Sequence, residues 1–217
     1  MKILIFSDCH LTTQFQEKKF RFLQKIISDA DQVIINGDLW ENDLVTFSQF
    51  ASSQWKHLFP VLKTKKAIYI HGNHDLQKEC NEKVNLFSDL QTTRYELKVT
   101  DKVAIIEHGH RLLPLQALRK IPRLRALAHF SNFMEYFMTR TVRLPFQTQL
   151  KKLNTTMKKK LKDELKQNEV YVCGHTHCAE IDLENSYYNS GFIRHGLGQY
   201  LTIEDMKITA HEEWYDN

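Results

Sequence analysis

The chain has 217 residues, enough for one domain of ordinary size with an insertion, and its 42% hydrophobic and 26% charged residues are typical of a globular protein. Seven glycines, four prolines and four dispersed cysteines exclude a collagen-like or disordered chain and a small disulfide scaffold, so reduced thiols are expected. Net charge is +4, but residues 111–168 hold 14 Lys and Arg against Glu135, Asp163 and Glu164, while the remainder has 16 basic and 23 acidic residues. Basic character confined to one segment points that segment at an anionic partner or substrate.

In chain order, the first apolar run is Lys2–Phe6. It is too short for a signal segment and reads as a buried strand. Nowhere does the chain approach the ~18 consecutive apolar residues of a spanning helix. A cytoplasmic protein is therefore expected. Gln32–Ile35, Ala67–Ile70, Val103–Ile106 and Val170–Cys173 are further Ile- and Val-rich runs, read as strands buried on both faces. Between the first two runs, Phe15, Phe20, Phe22, Leu23, Ile26 and Ile27 recur at helical spacing. Between the second and third, Phe47, Phe50, Trp55 and Leu58 do the same. This strand–helix alternation predicts parallel pairing through crossover helices. The short strands Glu180–Leu183, Gln199–Ile203 and Met206–His211 predict a second, partly antiparallel sheet.

Residues 111–168 stand apart. Leu112, Leu115, Leu118, Ile121, Leu124, Leu127, Phe130 and Phe133 fall every third residue, interrupted at Pro114 and Pro122, which predicts two or three helices broken at the prolines. A second helix is predicted over Gln147–Lys166, with Leu150, Leu153, Met157, Leu161 and Leu165 on one side and lysines on the others.

The polar residues fall at the ends of the predicted strands: Asp8-Cys9-His10, Gly37-Asp38, Gly72-Asn73-His74-Asp75, His108-Gly109-His110 and Gly174-His175-Thr176-His177. Ligands bind at the carboxyl ends of strands in a parallel α/β sheet, so these five segments should meet in one crevice. Glycines ahead of Asp38, Asn73 and His175 allow the backbone to turn sharply.

Together, the five blocks in this order resemble the calcineurin-like metallophosphoesterases. The resemblance implies a four-layer α/β/β/α sandwich, with residues 1–110 and 169–217 as core and 111–168 as a basic helical cap. It also implies two divalent metal ions, Mn foremost and Fe, Zn or Ni as alternatives. Asp8, His10 and His177 would hold one ion and Asn73, His108 and His175 the other, with Asp38 bridging. Metal-activated hydroxide would then hydrolyse a phosphoester or phosphoanhydride. His74 would contact the phosphoryl group and protonate the leaving oxygen, alongside Asn73 and His110 at the substrate. Glu41, three residues past Asp38, would orient His74.

Simpler readings hold elsewhere. His57, His129 and His211 are expected at the surface or in packing, His71 in its strand, and His195 in a structural role or lining the cleft. Cys9 alternates away from its neighbours and is expected to be buried.

For the substrate, the insertion resembles the cap of the UDP-2,3-diacylglucosamine hydrolase branch, as do Gly37-Asp38-Leu39-Trp40-Glu41 and Tyr188-Asn189-Ser190-Gly191. That branch often has Arg where this chain has His74. A phosphorylated, lipid-linked substrate with peripheral membrane contact through 111–168 is one expectation. A nuclease gripping phosphates with the same segment is another, with nucleic acid the lesser partner. A non-catalytic scaffold of the same fold is the third.

Overall fold

The computed structural model describes residues 1–99, 101–114 and 124–216, the side chains of 124–128 excepted. The first half runs β1 (Ile3–Phe6), α1 (Glu17–Ser28), β2 (Gln32–Asn36), α2 (Phe47–Ser52), α3 (Phe59–Thr64) and β3 (Ile68–Ile70), then β4 (Leu90–Thr92), β5 (Tyr95–Val99) and β6 (Lys102–Ile106). Two long helices follow, α4 (Leu124–Thr141) and α5 (Arg143–Leu161). The chain closes with β7 (Glu169–Cys173), β8 (Glu180–Asp182), β9 (Tyr187–Asn189), β10 (Ile193–Arg194), β11 (Leu197–Glu204) and β12 (Lys207–Trp214).

Two sheets result. One has the order β10-β11-β1-β2-β3-β4, with β12 paired to the far side of β11. The other is β5-β6-β7-β9-β8. Within the first, β1, β2, β3 and β4 are parallel, as the crossover helices require. Within the second, β6, β7 and β9 are parallel and the edge strands β5 and β8 antiparallel.

The period of two along each strand sorts the apolar residues into layers. Ile3, Ile5, Ile34, Ile68 and Ile70 point between the sheets, where they meet Ala104, Ile106, Val170 and Val172. Leu4, Phe6, Val33, Ile35 and Tyr69 point the other way, under α1, α2 and α3. On the outer face of the second sheet, Ile105, Tyr171, Cys173 and Tyr187 are covered by Met157 and Leu161 of α5. The order of layers is thus helix, sheet, sheet, helix. Each fully buried Ile, Leu or Phe side chain stabilises this arrangement by about 1.5–3 kcal/mol relative to exposure.

Local chemistry explains where elements stop. The apolar pattern across residues 44–62 is not one helix. Thr46 and Gln49 form a capping box that starts α2, and Ser53 then caps a separate 3-10 turn over Gln54–Leu58 before α3. α5 starts earlier than its leucine pattern, at Arg143. Pro145 has no N–H to offer the carbonyl four residues back, that of Thr141, so α4 ends there and the chain restarts as α5. The expected three-residue pattern over Leu115–Ile121 and its break at Pro122 lie outside the described residues. Strands β4, β5, β9 and β10 had no apolar run to announce them. In β5, Tyr95, Leu97 and Val99 alternate with Glu96 and Lys98. Among the described residues, no helix is long and apolar enough to cross a membrane.

Candidate metal centre

Three of the five blocks leave the first sheet, after β1, β2 and β3, and two leave the second, after β6 and β7. The crevice therefore lies across the common end of two stacked sheets, not along one sheet edge as the single-sheet reading had it. Backbone hydrogen bonds lace neighbouring loops together: Asp8 N–H to Gly37 O at 3.1 Å, His10 N–H to Asp38 O at 2.9 Å, and Gly174 N–H to His108 O at 3.1 Å. The glycines serve different needs. Gly37 has φ +85, as a turn requires, whereas Gly174 is needed because a Cβ there would overlap Ser7 and Asp8.

Asp8, His10, Asp38, His175 and His177 all have positive φ, between 47° and 69°. Non-glycine residues seldom occupy this region, and five of them converging here mark a backbone held in place by its surroundings.

The seven expected ligands are brought together. Asp8, His10 and His177 form one group of closely spaced donor atoms, and Asp38, His108 and His175 another. His177 Nε2 is 3.2 Å from Asp8 Oδ1, and Asn73 Oδ1 is 3.1 Å from His108 Nε2. Asp38 Oδ2 stands between the groups, 3.1 Å from His108 Nε2 and 3.8 Å from His10 Nε2.

The second nitrogen of every imidazole is engaged. Nδ1 of His10 donates to Glu41 at 2.8 Å, Nδ1 of His108 to the carbonyl of Asn36 at 2.9 Å, Nδ1 of His177 to Glu135, and Nε2 of His175 to the carbonyl of Leu113 at 2.7 Å. These bonds fix the tautomers and turn a lone pair inward from each ring, the arrangement that orients metal-binding histidines. His10 Nε2 and His177 Nε2 face each other at 3.3 Å. Asp8 Oδ1 is buried and accepts no hydrogen bond among the described residues. A cavity wall of lone pairs and orphaned carboxylate oxygen fits a cation.

Charges follow the same logic. Burial would raise the Asp8 and Asp38 carboxyls, but the imidazole of His108 leads the interactions that hold both well below the ordinary carboxylate range. In the metal-free chain, against its own burial, His108 is pushed up to about 10 by Asp38 and Asp8, and His177 likewise by Glu135 and Asp8; a cation would take the place of the inward proton on each ring. Burial, then the charge of His108, brings His175 down to about 4.

Beside these groups, Glu41 accepts from His74 Nδ1 at 2.6 Å as well as from His10, so one buried carboxylate orients both rings. The His74 side chain is 25% exposed, and its backbone N–H donates to Asp38 Oδ1 at 2.6 Å. The ring of His110 lies 5.6 Å from that of His108 and 6.3 Å from that of His175, at the rim of the crevice. Asp75, the last residue of its block, accepts from Gly72 and Leu39 N–H groups at 2.6 Å and from the Tyr69 hydroxyl at 2.7 Å, clamping the loop that presents Asn73 and His74.

Outside the centre, Cys9 is fully buried in the core beneath α1, with its thiol pushed up to about 12 by burial. His211 stacks on Tyr200, and His71, just past β3, donates from Nδ1 to the Asp75 carbonyl at 2.9 Å. Two residues had no role in the sequence reading. Glu135 of α4 bonds His177, Arg194 and His195, and Arg194 follows the last motif. An acid in a basic helix reads as a surface charge, so nothing in the pattern singled out Glu135.

Comparison with known proteins agrees with this geometry. Residues 1–179 match the family model described as calcineurin-like phosphoesterase. No curated protein sequence matches the chain. Among solved structures, the chain is similar to YfcE, a phosphoesterase from E. coli, at 14% identity over 100% of both chains, with a TM-score of 0.48. It is also similar to a conserved uncharacterized protein (predicted phosphoesterase) of Streptococcus pneumoniae TIGR4, at 15% identity over 100% of this chain and 90% of that one, with a TM-score of 0.47. Vps29 of Entamoeba histolytica complexed with Zn2+ is similar at 13% identity over 100% of both chains, with a TM-score of 0.45. With five motif blocks converging and the family model spanning most of its length, this chain belongs to the calcineurin-like phosphoesterase family.

Proposed function

We propose that the chain is a binuclear metal-dependent phosphoesterase. The observation that supports this most is the inward convergence of lone pairs from His10, His177, His108 and His175 onto Asp8 and Asp38, with each ring's other nitrogen already bonded. Asp8, His10 and His177 would hold one divalent cation, Asn73, His108 and His175 a second, and Asp38 both. The mixed nitrogen and oxygen donors favour Mn2+, or Fe, Zn or Ni, and such ions supply Lewis acidity toward a phosphoryl oxygen.

The chain's own groups do the rest. Glu41 holds the His74 ring by Nδ1 and leaves Nε2 facing out; the doubly protonated ring, its charge balanced by Glu41, would give its Nε2 proton to the leaving oxygen and remain as the Nδ1–H imidazole. Asn73 and His110 flank the phosphoryl position. A cleft of about 330 Å3 opens beside His10 and Glu41, lined mainly by polar groups such as Thr12, Gln14, Gln16, Lys19 and His195. It suits a hydrophilic substituent on the phosphorus, and its volume is at the lower end of the roughly 300–1,000 Å3 of small-ligand pockets.

A second reading rests on α4. Phe130, Phe133 and Phe137 are all about half exposed or more, spaced at three and four residues along one face of the helix. An apolar stripe within the basic segment 111–168 favours that segment as a cap for a nucleotide-linked lipid such as UDP-2,3-diacylglucosamine, with peripheral contact to an anionic membrane.

The test is Mn2+-stimulated hydrolysis of bis-p-nitrophenyl phosphate, p-nitrophenyl phosphate and UDP-2,3-diacylglucosamine, with His74→Ala as control. Turnover of the small esters that vanishes in the control supports a general phosphoesterase. Turnover of the nucleotide lipid alone supports the second reading. Bound metal with no turnover of any of the three would overturn both.

A further inference from the structure

Glu135 is one of three acids in the basic segment and is largely covered, its side chain 12% exposed. Its Oε1 accepts from Nδ1 of His177, and its Oε2 accepts from Arg194 at 2.5 Å and from His195 at 3.0 Å.

The other rings are oriented by groups outside the two long helices. Glu41, in the loop after β2, orients His10, the Asn36 carbonyl, at the end of β2, orients His108, and the Leu113 carbonyl, after β6, orients His175. His177 depends on a helix 42 residues away in sequence.

That helix is itself held largely by polar ties. Phe130, Phe133, Met134 and Phe137 are exposed, so they do little to dock α4. Asn132, one turn before Glu135, accepts from Arg194 at 2.5 Å, and Arg140 pairs with Asp216 and lies 4.8 Å over the Trp214 ring. A helix docked through a few polar contacts opens at low free-energy cost when one is lost.

We infer that Glu135 is a positioning residue that couples the helical insertion to the metal centre. It fixes the Nδ1–H tautomer of His177 and so turns Nε2 to the cation, while the same carboxylate fastens α4 through Arg194 and His195. Because the coupling is a shared free energy, it runs both ways: a bound cation steadies α4, and a docked α4 tightens the cation. The inference rests on reading His177 as a metal ligand.

The experiment uses the full chain stripped with EDTA. Mn2+ is titrated calorimetrically, and amide hydrogen exchange in α4 is followed with and without Mn2+. In the wild type, Mn2+ should slow exchange in α4. Glu135→Ala should weaken Mn2+ binding at the affected site by about 10–100-fold, the usual consequence of removing a group that orients a metal-binding histidine. It should also abolish the Mn2+-dependent protection. Glu135→Gln, which keeps an acceptor oxygen for His177, should recover part of the affinity and serves in its place should the alanine variant fail to fold. Asn132→Ala, which touches Arg194 and not His177, should loosen α4 and through the same coupling lower Mn2+ affinity, but by much less than Glu135→Ala does. Wild-type affinity in Glu135→Ala, or an equal loss in Asn132→Ala, would overturn the inference. A wild-type chain that binds no Mn2+ would overturn the ligand assignment of His177 and this inference with it.

Discussion

His10 and His177 face each other Nε2 to Nε2 across 3.3 Å, and each has its Nδ1 bonded to a carboxylate, Glu41 and Glu135 respectively. Two imidazoles so fixed have no proton to share on the facing side when both are neutral, and they gain by taking a cation between them and Asp8. Neutral packing would have no use for two oriented carboxylates behind two opposed lone pairs.

His74 lies outside both groups of donor atoms that include Asp8 and Asp38, and is held by Glu41. His74→Ala should therefore lower kcat by roughly 10²–10⁴-fold, the range for loss of a positioned proton donor. Its metal content should stay at the wild-type level. Steady-state kinetics on bis-p-nitrophenyl phosphate, with elemental analysis of the same sample, checks both halves. Loss of metal together with activity would remove His74 from its catalytic role.

Asp38 contacts His108 and holds the N–H of His74. Asp38→Asn removes the anion proposed to be shared by the two cations, so metal content and turnover should fall together. Full metal occupancy in this variant would show that Asp38 is not shared.

Lys19, in the wall of the cleft beside His10, gives a pH prediction. It is buried at 4% exposure, and its Nζ donates to the Cys9 carbonyl at 2.5 Å. Burial brings its ammonium from the ordinary 10.5 down to about 7. Below about pH 7 the amine is charged in the folded and unfolded chains alike, and the full cost of burying the charge is present. Between about 7 and 10.5 the unfolded chain keeps a proton that the folded chain has released, so stability from this group rises with pH. Lys19→Met should raise the metal-free Tm most near pH 6, corresponding to roughly 1–3 kcal/mol once the lost bond to Cys9 is set against it. The gain should shrink toward pH 10. A pH-independent difference between variant and wild type would contradict the buried-ammonium reading.

Leu161 and Leu144 lie on the same helix in opposite settings, 3% and 78% exposed. Leu161 packs with Ile105, Tyr171 and Tyr187. Leu161→Ala should cost about 2–5 kcal/mol in urea denaturation, as for other large-to-small core changes. Leu144→Ala should stay within about 0.5 kcal/mol. Equal effects would mean that α5 does not form the outer layer.

The legible part of this protein was the set of residues that the backbone itself places. Asp8, Asp38, Asn73, His108 and His175 follow uninterrupted Ile and Val runs, and strands buried on both faces leave no doubt where such runs end. Cys9 was readable by alternation alone. Strands such as Leu90–Thr92 were not, because three half-exposed residues have neither an apolar run nor a period. The break between α4 and α5 was written in Pro145 but was masked by the leucine pattern that begins later. Glu135 and Arg194 were illegible for a different reason: their roles come from tertiary contact, Glu135 with His177 across 42 residues of chain and Arg194 with Glu135 across 59, and a charge has no periodicity that declares its partner.

Metal content per chain tests the central claim most directly. The EDTA-stripped protein, reloaded with Mn2+ and freed of excess, should contain two equivalents per chain, falling in Asp38→Asn and unchanged in His74→Ala. No bound metal in the wild type, with the chain folded by circular dichroism, would contradict a binuclear centre at Asp8, His10, Asp38, Asn73, His108, His175 and His177.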